Sequence, residues 1–394
     1  MSVPERIRKG TASGSLVRRM FDEGLVYKKK YGAENVFDLS LGNPITEPPP
    51  EFKEELFKLA TSKSAGLHRY MENAGYIETR AAVAANIKKE TDTGFTENEI
   101  IMTCGAAAAL NVVFRTILNP SDEVILFAPY FAEYVHYINH HDGVMKACPT
   151  DEQFMPRIDA LNRMVGSKTR AVLVNSPNNP SGVVYGENVY KNIAEVLKHK
   201  QKQYGTQILL ISDEAYSRIL FDGLKYQPIW SHHPESIVVT SHSKDLALPG
   251  ERIGYIAIHP ECTDKKELVD GLIYSNRTLG FVNAPALMQR IVAHLQGVSV
   301  SALDYQKKRD YLYDNMTEMG YSIVKPQGAF YLFPKSLQPD DFAFVRELQA
   351  ERVLTVPGQG FGTPGYFRIG YCVDDRTIEG ALTGLKKVAV KYKK

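Results

Sequence analysis

Residues 207–258 read QILLISDEAYSRILFDGLKYQPIWSHHPESIVVTSHSKDLALPGERIGYIAI, and this stretch decides the fold. It holds three apolar runs, 207–212, 237–240 and 253–258. Each is nearly continuous rather than alternating, which is how strands covered on both faces read. Polar, chemistry-bearing residues follow the first two at once: Asp213-Glu214-Ala215-Tyr216 and Ser241-His242-Ser243-Lys244. Working outward, 123–127 and 171–174 are runs of the same kind, and 186–202 is a helical stretch between two of them. The pattern predicts an α/β fold with a mostly parallel central sheet.

A chain of 394 residues exceeds one small core, so two domains are expected. Residues 47–50, EPPP, exclude helix and central strand and read as a link from an N-terminal arm to the sheet domain. From residue 295 the pattern changes to a long charged helix over 302–319, stopped by Gly320. Short strands and a final helix over 375–391 follow. The expected division is an arm, 1–50, that joins the small domain; a large domain, 51–294; and a small α+β domain, 295–394.

Composition narrows the function. Hydrophobic residues make up 44% and charged residues 23%, with a net charge of +2 and both signs interspersed. Nothing there calls for nucleic acid or a membrane surface as partner. Cys104, Cys148, Cys262 and Cys372 lie far apart without zinc or redox spacing, so free thiols in a reducing compartment are expected. The opening MSVPERIRKG has no apolar run behind it, and no stretch is long enough to span a bilayer. A cytoplasmic protein is the expectation.

Ligands of open α/β sheets sit beyond the carboxyl ends of the strands, so the residues after each run are read for chemistry. Asp213, at the end of a buried run, needs a partner such as a protonated heterocyclic nitrogen, or else caps the next helix. Lys244 is either a desolvated nucleophilic amine or an exposed lysine beside a turn. Ser241, Ser243 and Arg252 suit a phosphate. So does the backbone of Gly105-Ala106-Ala107 at the start of an alanine-rich helix. Asn175-Ser176-Pro177-Asn178-Asn179-Pro180-Ser181-Gly182 is a dense turn signal that could present amides to a ligand, with Asn179-Pro180 free to be cis or trans. Arg368 sits in an apolar run, where it answers either a ligand carboxylate or a structural salt bridge. His136 and His140 have helical metal-ligand spacing but no third ligand, and Gly358, Gly360 and Gly362 lack the Lys-Ser/Thr of a phosphate loop.

The order of these signals is more specific than any one of them. NSPNNPSG, DEAY, SHSK with Arg252 eight residues on, and Tyr366-Phe367-Arg368 before the last helix resemble the fold-type-I pyridoxal-phosphate aminotransferases of classes I and II. The resemblance runs from Leu41-Gly42-Asn43-Pro44 to Arg368. It implies that Lys244 holds pyridoxal 5'-phosphate as an internal imine and later moves a proton. It implies that Asp213 partners the pyridine nitrogen, that Asn179 and Tyr216 donate to the ring's phenolic oxygen, and that Phe131 stacks on the ring. Ser241, Ser243, Arg252 and the backbone of Gly105, Ala106 and Ala107 would hold the phosphate. Tyr70 would reach the phosphate of a neighbouring subunit, making the active unit a homodimer. Arg368 and the backbone at Gly42 would hold the substrate's α-carboxylate, with Asn179 also in the substrate-binding set.

The implied reaction moves an amino group from an L-amino acid, aspartate by default, to a 2-oxo acid such as 2-oxoglutarate. One departure bears on the donor. Related bacterial aspartate enzymes carry a lysine just after the phosphate-loop glycines, and here that position is Ala107. Arg277 and Arg69 are replacement cations by position only, and a solvated surface arginine is the favoured reading of each. Aromatic or small neutral amino acids therefore stay open as donors, as does a carbon–sulfur β-lyase on the same fold. A non-enzymatic regulator ranks last, because the segment before Leu41 is short for a DNA-binding domain.

Overall fold

The computed structural model describes residues 2–12 and 16–393. In chain order its strands are β1 (Phe37–Asp38), β2 (Ile100–Thr103), β3 (Glu123–Phe127), β4 (Val144–Cys148), β5 (Thr169–Asn175), β6 (Leu209–Asp213), β7 (Ser236–Ser241), β8 (Gly254–Ile258), β9 (Tyr331–Leu332), β10 (Val353–Leu354), β11 (Val356–Pro357) and β12 (Phe367–Gly370). Seven of them form one sheet in the order β2-β8-β7-β6-β5-β3-β4. Only β8 runs antiparallel to its neighbours, so the α/β, mostly parallel expectation is met.

The continuous apolar runs have the cause the sequence suggested. Along β6, Leu209 and Ile211 enter one core and Leu210 the other, all within 2% exposure. Two cores, one per face, leave no side of a central strand for polar residues. Helices cover both faces. Helix Glu187–Tyr204 buries Tyr190, Ile193, Ala194 and Leu197, one stripe at helical spacing, and ends on Gly205 in the left-handed region at φ 65°.

Three readings are corrected. The EPPP segment does enter a helix: Pro50 is the first residue of helix Pro50–Thr61, where its missing N–H costs no hydrogen bond. β2 and β4 had no sequence signal assigned. β2 is only four residues, and β4 lies at the sheet edge, with Val144 44% exposed, so its apolar run is broken by Lys146.

Outside the large sheet, β1 pairs parallel with β10, and β9, β11 and β12 form a three-stranded antiparallel sheet. Helix Ala302–Glu318 and helix Asp375–Tyr392 pack nearby; Asp374 caps the latter by accepting from the Thr377 N–H at 2.8 Å. Among the described residues, no helix is long and apolar enough to cross a membrane. All four cysteines are free thiols.

Candidate active site

The carboxyl ends of β5, β6 and β7 open onto a cavity of about 350 Å3. Its lining includes Asn179, Asp213, Tyr216, Ser241, Ser243 and Lys244 from the segments at or just beyond those strands. Gly42, Ala106, Ala107, Phe131, Arg252 and Arg368 complete the residues chosen from sequence. Gly105 stands directly beside it, since a Cβ there would meet Arg252 Nη2 at 2.8 Å.

Asp213 ends β6 and is buried. Tyr134 Oη donates to its Oδ2 at 2.7 Å, and the Ala215 N–H donates to Oδ1 at 3.3 Å. Burial nevertheless pushes its carboxyl up to about 6, against the pull of both hydrogen bonds. A protonated nitrogen placed beside it would restore the ionised form. Without one, the raised value makes the ionised carboxylate a liability: stability is lost as pH climbs from the ordinary carboxyl range through about 6. Asp213→Asn should therefore stabilise the chain at pH 7 by up to about 3 kcal/mol. Denaturant unfolding across pH checks this; a variant less stable than the unaltered chain at pH 7 would refute the raised carboxyl.

Lys244 Nζ donates to the Gly42 carbonyl at 2.5 Å and lies 5.3 Å from the Phe330 ring centroid. Burial lowers its pKa to about 8, the guanidinium groups of Arg368 and Arg252 push the same way, and Cys372 opposes them. The exposed-lysine alternative is thus excluded for this residue.

The anion-holding end is built from a helix start and a short turn. Helix Ala106–Ile117 begins after Gly105, whose φ of 82° favours glycine, and its first N–H groups have no partner within the helix. Ser241 Oγ accepts from the Ser243 N–H at 3.2 Å, and the two hydroxyls lie 2.5 Å apart. Arg252 donates to the Pro249 and Cys104 carbonyls at 2.9 and 3.2 Å, which holds its head at the cavity rim.

Arg368 is 2% exposed. It donates to Asn179 Oδ1 at 3.1 Å and to the Ser40 carbonyl at 2.6 Å, and its Nε has no protein partner. With Asn179 Oδ1 turned to Arg368, the amide N–H groups of Asn179 remain for another acceptor. The Asn179-Pro180 bond is cis, as are Ser176-Pro177 and Ala128-Pro129.

Several residues of the site had no role assigned from sequence. Tyr331 shares a hydrogen bond with Tyr216 at 2.9 Å between hydroxyls, and its ring lies 4.7 Å from the Arg368 guanidinium. A Cβ on Gly42 would fall 1.8 Å from Tyr331 Oη, so only glycine fits there. Tyr134, three residues after Phe131 at the start of helix Glu133–His140, could have been found from that spacing. Asn175 Oδ1 accepts from the Asn179 N–H at 2.8 Å and so fixes the loop. Tyr70 is 89% exposed and outside the cavity. Arg69 lines a different cleft with His68, and Arg277 lies against the Tyr274 ring at 5.7 Å, so neither supplies a cation to this cavity from its own chain.

A family model described as aminotransferase class I and II matches residues 34–385. The chain belongs to this aminotransferase family. A probable aspartate/prephenate aminotransferase of Thermus aquaticus is 31% identical over 87% of this chain and 89% of its own length. Aromatic-amino-acid aminotransferase 2 of Thermococcus litoralis is 30% identical over 96% of each chain. Among solved structures, an aminotransferase from Eubacterium rectale superposes with a TM-score of 0.96 at 38% identity over the full length of both chains. The likeness accords with the mixed α/β fold and mostly parallel central sheet described above.

Proposed function

We propose that this aminotransferase binds pyridoxal 5'-phosphate in the cavity at the strand ends and moves an amino group from an L-amino acid, aspartate by default, to a 2-oxo acid such as 2-oxoglutarate. The observation that carries the reading is the convergence, on one cavity, of a lysine at lowered pKa, a buried carboxyl and a buried arginine. The residues fit the cofactor. The start of helix Ala106–Ile117, Ser241, Ser243 and Arg252 would hold its phosphate. Asp213 would hold the pyridine nitrogen protonated, Asn179 and Tyr216 would donate to the phenolic oxygen, and Phe131 would cover a ring face. When bound, the cofactor supplies an electron sink for the α-carbon. Lys244 Nζ supplies the amine that anchors it and then takes and returns the α-proton as a general base. Arg368 and the Gly42 backbone orient the substrate carboxylate.

We further read the active unit as a cytoplasmic homodimer, with the arm 1–50 joining a small domain 295–394 beside a large domain 51–294. The parallel pairing of β1 with β10 supports the arm's place, and Tyr70 stands free to reach a neighbouring site. Ala107 leaves no lysine for a second carboxylate, so aromatic and small neutral donors are carried as the second reading.

The test is to add single amino acids, with no keto acid, to cofactor-loaded enzyme. A good donor is expected to bleach the visible absorbance of the lysine-linked cofactor and release about one keto acid per site. The fastest donor names the substrate class. Continuing release of pyruvate and ammonia without acceptor would replace transamination by β-elimination.

A further inference from the structure

Two phenols face each other in the wall of the catalytic cavity. Tyr216 follows β6 and Tyr331 opens β9, and both line the cavity although both are buried. Their hydroxyl oxygens lie 2.9 Å apart, and neither side chain makes another hydrogen bond among the described residues. Two hydroxyls bring two hydrogens, and one shared bond uses only one of them. The second hydrogen is left for an acceptor outside the pair.

The fold fixes Tyr331 in this position from three sides. β9 pairs antiparallel with β12, with Gly370 opposite Tyr331 and Arg368 two residues before Gly370, so Tyr331 and Arg368 leave the same face. The Arg368 guanidinium lies 4.7 Å from the Tyr331 ring centroid. The Tyr216 ring meets the Tyr331 ring edge-on, at 5.8 Å between centroids and 78° between planes. Gly42 leaves room for the hydroxyl, where any Cβ would collide with it.

We propose that Tyr331 is a positioning residue of the reaction, donating its hydroxyl hydrogen to Tyr216 Oη so that the Tyr216 hydrogen points outward to the phenolic oxygen of the cofactor. The inference rests on the proposed function, in which Tyr216 gives its own hydrogen to that oxygen. Tyr216 Oη can then only accept from Tyr331, and a hydroxyl that accepts one hydrogen bond donates a stronger one. A donor to the phenolic oxygen stabilises its negative charge. That charge is least compensated once the nitrogen joining Lys244 to the cofactor has lost its proton, so Tyr331, acting through Tyr216, lowers the pKa of that nitrogen.

The test is a pH titration of the visible absorbance of the lysine-linked cofactor in the unaltered enzyme, Tyr331→Phe, Tyr216→Phe and the double variant. Phenylalanine at position 331 keeps the ring against Arg368 and removes only the hydroxyl. The midpoint is expected to rise by about half a pKa unit or more in Tyr331→Phe. In the Tyr216→Phe background the same change should add little, because the route through Tyr216 is already gone. An unmoved midpoint in Tyr331→Phe overturns the proposal, as does an equal rise with and without the Tyr216 hydroxyl. An unaltered enzyme with no titrating lysine-linked absorbance would instead overturn the cofactor reading, and this proposal with it. Should Tyr331→Phe misfold, a ring-fluorinated tyrosine at position 331 keeps the shape and is the stronger donor. It should lower the midpoint, and no shift or a rise would overturn the proposal.

Discussion

Replacing Lys244 with alanine is expected to abolish covalent attachment of the cofactor and to lower transamination by about 10⁴-fold or more. The argument starts from the amine. An ordinary lysine is protonated at neutral pH and cannot attack a carbonyl carbon. Burial beside the strand ends, with Arg368 and Arg252 nearby, brings the Lys244 ammonium to about 8. Roughly one molecule in ten is then the neutral nucleophile at pH 7. The Gly42 carbonyl holds Nζ at 2.5 Å, inside the cavity that Asp213 and Arg368 also line. On the proposed reading, alanine removes both the anchor and the proton carrier. Borohydride should fix cofactor to the unaltered chain and not to the variant, and single-turnover rates read the second loss. A variant that kept fixed cofactor, or a rate within tenfold, would move the chemistry to another residue.

The same lysine sets a pH dependence. Its folded pKa of about 8 lies below the ordinary lysine value, so the unfolded chain binds more protons between the two. Stability of the cofactor-free protein therefore rises as pH climbs from about 8 through the ordinary lysine range. Lys244→Met should flatten that rise and be the more stable protein below it.

Five strands of the large sheet were legible because burial on both faces leaves a mark that needs no partner information: an unbroken apolar run. β4 carries no such mark, since an edge strand is half exposed and Lys146 interrupts it. Asp213, Ser241, Ser243 and Lys244 were legible for the complementary reason, as polar residues that begin where an apolar run stops. Tyr331 was not. It lies within Ala329-Phe330-Tyr331-Leu332-Phe333, all of them within 2% exposure, and such a run reads as core. Its place in the site comes from contacts with Gly42, Tyr216 and Arg368, hundreds of residues away along the chain for the first and about a hundred for the second, and no local pattern encodes them.

Arg368→Ala is expected to lower kcat/KM for amino acids by about 3–5 kcal/mol, roughly 10²–10⁴-fold. A comparison within the chain shows why. Arg309 is also fully buried, but Asp222 accepts from both its Nη atoms at 2.7 and 2.8 Å. That is a structural ion pair. Arg368, at 2% exposure, has only neutral acceptors, Asn179 and the Ser40 carbonyl, and no acid within ion-pair distance among the described residues. Its neighbours are instead the rings of Tyr331 and Phe361, at 4.7 and 4.8 Å. Burial lowers its pKa, the direction of a cation short of compensation. A guanidinium held this way by the fold is matched only when a carboxylate arrives, and its fork suits two parallel hydrogen bonds. Lysine at this position keeps the charge and loses the fork, so Arg368→Lys should recover only part of the rate. The decisive control is the amine that lacks the α-carboxylate. If Arg368 grips that group, Arg368→Ala slows the amino acid and leaves the slow reaction of the amine nearly unchanged. An equal loss with both would make Arg368 a structural residue, and the substrate's carboxylate would need another partner.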